Sequence, residues 1–322
     1  MSGNNLLITG ATGFIGRTLC ERMRADGWHV RGSARYEELK TGFSDGVEFF
    51  RIDSVGPDSD WSAALEGTDA VVHLAARVHV MHDTALDPLA AFRLVNVAGT
   101  DRLARMAAKA GVKRFVFLSS IKVNGEGADS PYTEQDNARP LDPYGISKWE
   151  AETALWQVAA ETGLEVVIIR PPLVYGPGVK ANFLRMLQIV QQGIPLPFAS
   201  INNRRSLIYL GNLVDAIVTC VNHPQAAGHT YLVSDGDDVS TPELLRRTGE
   251  AMGRPARLFP LPPVLMRFAG WIFGKAAAVE RLLGSLAVDS SKIHSELGWT
   301  PPFAMEEGLK RTAEWFNHEK SL

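Results

Sequence analysis

Leu6-Leu7-Ile8-Thr9 followed by Gly10-Ala11-Thr12-Gly13-Phe14-Ile15-Gly16 decides the reading of this chain. An apolar run of strand type stops, three glycines turn the backbone, and an amphipathic segment with Ile15, Leu19 and Met23 runs on to Gly27. Strand, glycine turn and helix in that order aim helix-terminal N–H groups at an anion, and the spacing suits the pyrophosphate of a dinucleotide. Gly10 makes the tight turn, Gly13 leaves room for phosphate where a Cβ would stand, and Gly16 lets the helix lie close to the strand. Thr12, Phe14 and Ile15 belong to the same cofactor-binding turn.

Working outward, residues 29–33, 47–52, 69–74, 114–118 and 165–170 read as further apolar strands separated by helical or turn segments. Strands alternating with helices predict an α/β fold, a Rossmann-type doubly wound parallel sheet with ligands at the carboxyl ends of its strands. After Val174 the rhythm breaks at Gly176-Pro177-Gly178, and a helix follows over 181–192. The expected division is a nucleotide-binding domain over 1–175, rejoined by 206–234, and a smaller, mainly helical lobe formed by 176–205 and 235–322.

Composition narrows the partners. The chain has 322 residues, 45% of them apolar and 21% charged, and a net charge of −3, which gives nucleic acid or anionic lipid no general attraction. Cys20 and Cys220 are too few and too separated for a disulfide framework or a metal cluster, so buried thiols, no metal and a cytoplasmic location are expected. No export signal is read at the start. The apolar stretch 264–288 is interrupted by Arg267, Lys275, Glu280 and Arg281, so it is read as packed helices of the smaller lobe and not as a membrane span.

The chemistry concentrates in Asp142-Pro143-Tyr144-Gly145-Ile146-Ser147-Lys148. Asp142 can cap a helix and Pro143 suits its first turn, so Tyr144 and Lys148 share a face one turn apart. The strand ending Phe117-Leu118-Ser119-Ser120 delivers two hydroxyls to the ligand edge of the sheet. A phenol with a reference pKa of about 10 is only about 0.1% ionised at pH 7, so it needs help to act as a base. The lysine ammonium and an oxidised nicotinamide are expected to lower it by about two or three units.

Together these motifs resemble the extended short-chain dehydrogenases/reductases, in their nucleotide-sugar epimerase/dehydratase branch, over essentially the whole chain. The resemblance implies Ser120, Tyr144 and Lys148 as catalytic residues and a nicotinamide dinucleotide as cofactor. It implies that Asp53, with Ser54, holds the adenine end, that Leu74, Ala75 and Ala76 let the cofactor pass, and that Asn96 braces the active-site backbone. Ser119 neighbours the catalytic hydroxyl, and Pro171 and Leu173 lie in the segment beside the nicotinamide carboxamide. For a UDP-sugar substrate it implies Asn182 and Phe183 at the diphosphate, Arg205 on the phosphates, and Glu280 or Arg281 at the uridine ribose. A homodimer through the helices at 89–110 and 144–160 is also implied.

Two departures refine the expectation. Dehydratases of this branch carry Asp-Glu directly after the catalytic hydroxyl, and Ile121-Lys122 stand there instead, which leaves water elimination without its acid and base and makes Lys122 a candidate substrate ligand. NAD-specific relatives place an aspartate after the second strand to hold the ribose 2′-hydroxyl; Ala34 fills that position with Arg35 beside it, so NADP(H) is expected to be preferred, with NAD(H) possible. Residues 74–81 and 120–126 resemble bacterial UDP-4-keto-6-deoxy-N-acetylhexosamine 4-reductases that feed surface polysaccharide synthesis. The sequence expectation is therefore a 4-ketoreductase. The alternatives are a UDP-hexose or UDP-N-acetylhexosamine 4-epimerase with retained NAD, and a non-catalytic NADP(H)-binding regulator.

Overall fold

The computed structural model describes residues 4–35, 46–78, 86–127 and 130–319. Among them the strands are β1 (Asn5–Thr9), β2 (His29–Ala34), β3 (Glu48–Arg51), β4 (Ala70–His73), β5 (Arg114–Leu118), β6 (Glu165–Arg170), β7 (Leu173–Tyr175), β8 (Leu207–Tyr209) and β9 (His229–Leu232). Seven make one parallel sheet in the order β3-β2-β1-β4-β5-β6-β9, and β7 pairs with β8. Alternate residues face opposite sides: Leu6, Ile8, Val30 and Val72 belong to one core and Leu7, Val71, Phe115 and Phe117 to another. Burial on both faces is the mark of a sheet covered by helices on each side, the doubly wound Rossmann-type α/β arrangement expected from the sequence.

On the first face lie α1 (Phe14–Ala25), contributing Leu19 and Met23, and a later helix (Leu210–Asn222) contributing Leu213 and Ile217. On the second lie α2 (Ser62–Leu65), α3 (Pro88–Arg93), α4 (Gly99–Lys109) and α5 (Pro143–Thr162), with Leu103, Ala107, Leu155 and Val158 packed on the sheet. One π turn, Leu94–Ala98, joins α3 to α4. Helix α5 is bounded by its own chemistry: the Asp142 carboxylate accepts from Gly145 N at 2.7 Å, Pro143 starts the helix, and Gly163, at φ 77°, ends it.

The Leu210–Asn222 helix on the first face is α7, and the remaining helices are α6 (Ala181–Gln192), α8 (Thr241–Ala251), α9 (Pro263–Ile272), α10 (Ala276–Leu283), α11 (Ser291–Leu297) and α12 (Met305–Glu319). The core of the first face runs unbroken into these segments through Phe183, Leu187, Leu244, Leu309 and Phe316. The expectation of packed helices over 264–288 is only half met: α9 buries Met266 and Gly270, α10 buries nothing, and the apolar side of α9 is exposed. No helix among the described residues is long and apolar enough to cross a membrane.

Candidate active site

The strand order reverses between β1 and β4, which in a doubly wound sheet puts the ligand crevice at the carboxyl ends of those strands. Gly10 stands there with φ +67°, and a Cβ on it would lie 2.9 Å from Ala75 N. A Cβ on Gly16 would lie 2.2 Å from Gly10 O, whereas one on Gly13 would meet only Gly10 O, at 3.2 Å. The turn is thus closed against its own helix and open on the exposed side of Gly13, a cradle that fits a dinucleotide pyrophosphate.

Beneath the crevice is a histidine that the sequence reading missed. Thr9 Oγ1 accepts from Leu74 N (3.2 Å) and Ala75 N (3.1 Å), which fills its lone pairs, so its hydroxyl donates to His73 Nδ1 at 2.6 Å. His73 Nε2 therefore carries the proton and donates to Thr100 Oγ1 at 3.0 Å. Burial, with Lys148 nearby, holds the imidazole neutral, with its pKa pushed down to about 3. The ring stacks on Phe117 at 5.7 Å.

Ser120, Tyr144 and Lys148 are brought to that same edge. Ser120 begins a single 3-10 turn, Ile121–Val123, and its side chain hydrogen-bonds the Tyr144 phenol. Lys148 is buried, donates to Leu118 O at 2.6 Å, and lies 4.1 Å from the centroid of Phe117. Phe92 meets the Tyr144 ring edge-on at 6.2 Å, and the Arg77 guanidinium lies over Phe92. The expected lowering of the phenol is not produced by the chain alone: burial and Asp142 push Tyr144 up to about 12, opposed by the Ser120 hydrogen bond. Burial likewise pushes Lys148 down to about 7, opposed by the Glu152 charge. Both groups are thereby biased toward their neutral forms.

Glu152 continues the Tyr144, Lys148 stripe one further turn along α5. Its carboxylate accepts from Arg170 Nε (2.9 Å) and Nη2 (2.5 Å) and from the Ser119 hydroxyl, while Arg170 Nη1 donates to Asn124 Oδ1 at 3.0 Å. Ser119, expected at the cofactor, is thus turned into this buried ion pair. Asn96, in the π turn, accepts from Arg77 N (2.8 Å) and donates to Arg77 O (3.0 Å) and Ser147 Oγ (2.9 Å). It braces the loop after β4 against α5.

Several candidate ligands have other partners. Lys122 is paired with Asp142 and, at 3.1 Å, with Glu126, so in this arrangement its charge fastens the helix cap of α5. Phe183 is a core side chain stacked 5.3 Å from Tyr175, which leaves only its backbone, in the first turn of α6, for a diphosphate. Asn182 is exposed beside Ala181, which has a left-handed φ of 53°. Asp53, two residues past β3, is exposed and held by the Arg51 fork at 2.6 and 2.8 Å. Ala34 is buried and Arg35 exposed at the end of β2. Arg205 and Arg281 do converge: Arg205 Nη2 donates to Arg281 O and, at 3.4 Å, to Gly284 O. Of the stretch 74–81, residues 79–81 lie outside the described residues.

A doubly wound sheet with a glycine cradle at its switch point and a serine, tyrosine and lysine beside it defines an extended short-chain dehydrogenase/reductase. The sequence model of the NAD dependent epimerase/dehydratase family matches residues 6–234, and the chain belongs to that family of enzymes. It is 47% identical over 317 residues to a UDP-glucose 4-epimerase of Vibrio cholerae, covering 97% of this chain and 95% of that protein. It is 29% identical over 335 residues to an N-acetyl-alpha-D-glucosaminyl-diphospho-ditrans,octacis-undecaprenol 4-epimerase of Escherichia coli O157:H7, covering 98% and 97%. Among solved structures it is similar to MoeE5 in complex with UDP-glucuronic acid and NAD, at a TM-score of 0.77 and 27% identity, covering 99% of this chain and all of the other.

Proposed function

We propose that this enzyme is a UDP-sugar 4-epimerase that oxidises and re-reduces carbon 4 of a UDP-hexose with a retained NAD. The observation that carries the reading is the juxtaposition of Ser120, Tyr144 and Lys148 at the edge where the glycine cradle opens, with no carboxylate pair following Ser120. The high identity to a 4-epimerase supports this reading over the ketoreductase expected from the sequence, which would use the same residues.

A bound NAD would supply the hydride acceptor and, once reduced, the donor, and in its oxidised form would add a positive charge that favours phenolate. Ser120 holds the substrate's O4, and Tyr144 Oη takes its proton as the alcohol becomes a ketone. After the 4-keto sugar turns in the site, Tyr144 returns the proton to the other epimer's oxygen. Lys148, anchored on Leu118 O, favours the phenolate when charged.

For the substrate, Asn182, Arg205 and Arg281 are the diphosphate and nucleoside contacts we propose. For the cofactor, Gly10, Thr12, Gly13, Phe14, Ile15, Gly16, Asp53, Ser54, Leu74, Ala75, Ala76, Pro171 and Leu173 would line the dinucleotide. Ala34 and Arg35 leave room for a 2′-phosphate, so NADP(H) is accepted as well. The groove of Ala90, Leu94, Val97, Ala98 and Ala154 between the α3–α4 run and α5 is the surface for a second copy.

The test is turnover of UDP-glucose or UDP-galactose by the purified protein with no added nicotinamide, and identification of the nucleotide released on denaturation. Epimer interconversion with a retained dinucleotide is expected, and Tyr144→Phe should lose about 10²- to 10⁴-fold in kcat while keeping the nucleotide. Product formation only with stoichiometric consumption of added NAD(P)H would replace this reading with the ketoreductase.

A further inference from the structure

Helix α9 carries its apolar side outward. Val264, Leu265, Phe268, Trp271 and Ile272 are between 51 and 73% exposed, and Phe273 just past the helix is 76% exposed. At 100° per residue the five helical positions fall on one arc about 120° wide. Met266 and Gly270, on the opposite side, are buried. The arrangement is built and not frayed: a Cβ on Gly270 would meet Val279 Cγ2 of α10 at 2.7 Å, Arg267 pairs with Glu280 at 2.8 Å, and Phe268 stacks with Trp271 at 6.4 Å. Monomeric soluble proteins rarely leave such a contiguous aromatic stripe uncovered.

The charge around the stripe distinguishes its partner. Within the hairpin, 263–283, the basic residues are Arg267, Lys275 and Arg281 and the one acidic residue is Glu280, although the whole molecule has a net charge of −3. All three basic residues are exposed. A second copy of this face would set net positive charge against net positive charge, since Glu280, the one acidic residue of the hairpin, is already held by Arg267. A bilayer with anionic headgroups meets both halves of the pattern: aromatic and aliphatic side chains enter the acyl boundary while arginine and lysine stay at the phosphates. At ten residues α9 is too short to span a bilayer, so it would lie in the interface.

We infer that the α9–α10 hairpin docks this enzyme on an anionic lipid surface. The inference is independent of which sugar the site takes. The experiment is flotation of the full chain with vesicles of phosphatidylcholine alone and with about 30% phosphatidylglycerol added, at low and high salt. Co-flotation with the anionic vesicles, weakened by salt and by Lys275→Glu and reduced at least tenfold by Phe268→Ser with Trp271→Ser, is the expected result, with turnover and circular dichroism unchanged. Absence of anionic-vesicle binding, binding that the double variant leaves intact, or equal binding to neutral vesicles overturns it. So does light scattering in which the double variant turns a dimer into a monomer, which would make the stripe a contact between copies.

Discussion

Removing the charge of Glu152 should unfold this protein far more readily than removing any surface carboxylate. Glu152 is 3% exposed and Arg170 8%, and the carboxylate takes two hydrogen bonds from the guanidinium and one from Ser119. In Glu152→Gln the guanidinium keeps one full-strength acceptor, Asn124 Oδ1 at 3.0 Å, and faces an amide that can satisfy it only in part. Stranding one member of a buried pair costs about 3–5 kcal/mol, and the retained amide oxygen puts this variant near about 3. At about 1.5 °C per kcal/mol, from about 2.1 cal/mol/K of unfolding entropy per residue over 322 residues, the melting temperature should fall by about 4–5 °C. A second effect follows from Lys148, whose ammonium Glu152 favours against burial. Without that charge its pKa drops below about 7, and the limb of the pH–rate profile that reports Lys148 moves to lower pH. Urea denaturation and a pH series of kcat read the two effects. The control is Glu152→Met with Arg170→Met, which should recover stability to within about 1 kcal/mol of the parent. A single variant that loses less than about 1 kcal/mol, or a double variant as unstable as the single, would refute the argument from uncompensated charge.

Gly16→Ala places a Cβ 2.2 Å from Gly10 O and 2.7 Å from Ala11 Cα, all of it backbone, so α1 must move away from the cradle. A loss of about 1–3 kcal/mol with weakened dinucleotide binding is expected by thermal melts and calorimetry; unchanged affinity would rule out the cradle as the site. Lys122→Gln should lower kcat modestly at unchanged KM, since Lys122 acts on Asp142 and the α5 cap, and a large rise in KM would return it to the substrate. His73 titrates at about 3 when folded and about 6.5 when unfolded, so the unfolded chain binds more protons between those values. Stability should be full above pH 6.5 and fall as pH is lowered toward 3, by on the order of 4–5 kcal/mol in total, and His73→Gln should flatten that slope in urea titrations at pH 7 and 5. A slope that the variant leaves unchanged would show that another group carries the acid sensitivity.

The parallel sheet was legible because each strand is a compact apolar run between turns; β5, β6 and α6 begin and end where the residues predict. The pair β7–β8 was not, since three-residue strands are too short to display a period. Within the site, Tyr144 and Lys148 were readable from local spacing. Glu152 and Arg170 were not, because their meeting is a tertiary event between α5 and β6, although Glu152 sits at the next position of the stripe already recognised. Lys122 looked available for a ligand because its partners, Asp142 and Glu126, are placed around it only by the fold. The upward push on Tyr144 in the chain alone was not legible for a related reason: the sequence displays nearby charges but not how deeply the phenol is buried.

The widened turn at Leu94–Ala98 carries a consequence for how this enzyme tolerates changes in length. Deleting one residue there would regularise the helix and improve its local geometry, yet it would swing Asn96 by about 100° and release its clasp on Arg77 and Ser147. Here a more ideal helix would be a worse enzyme, because the irregularity is the splice that keeps two distant parts of the chain in alignment.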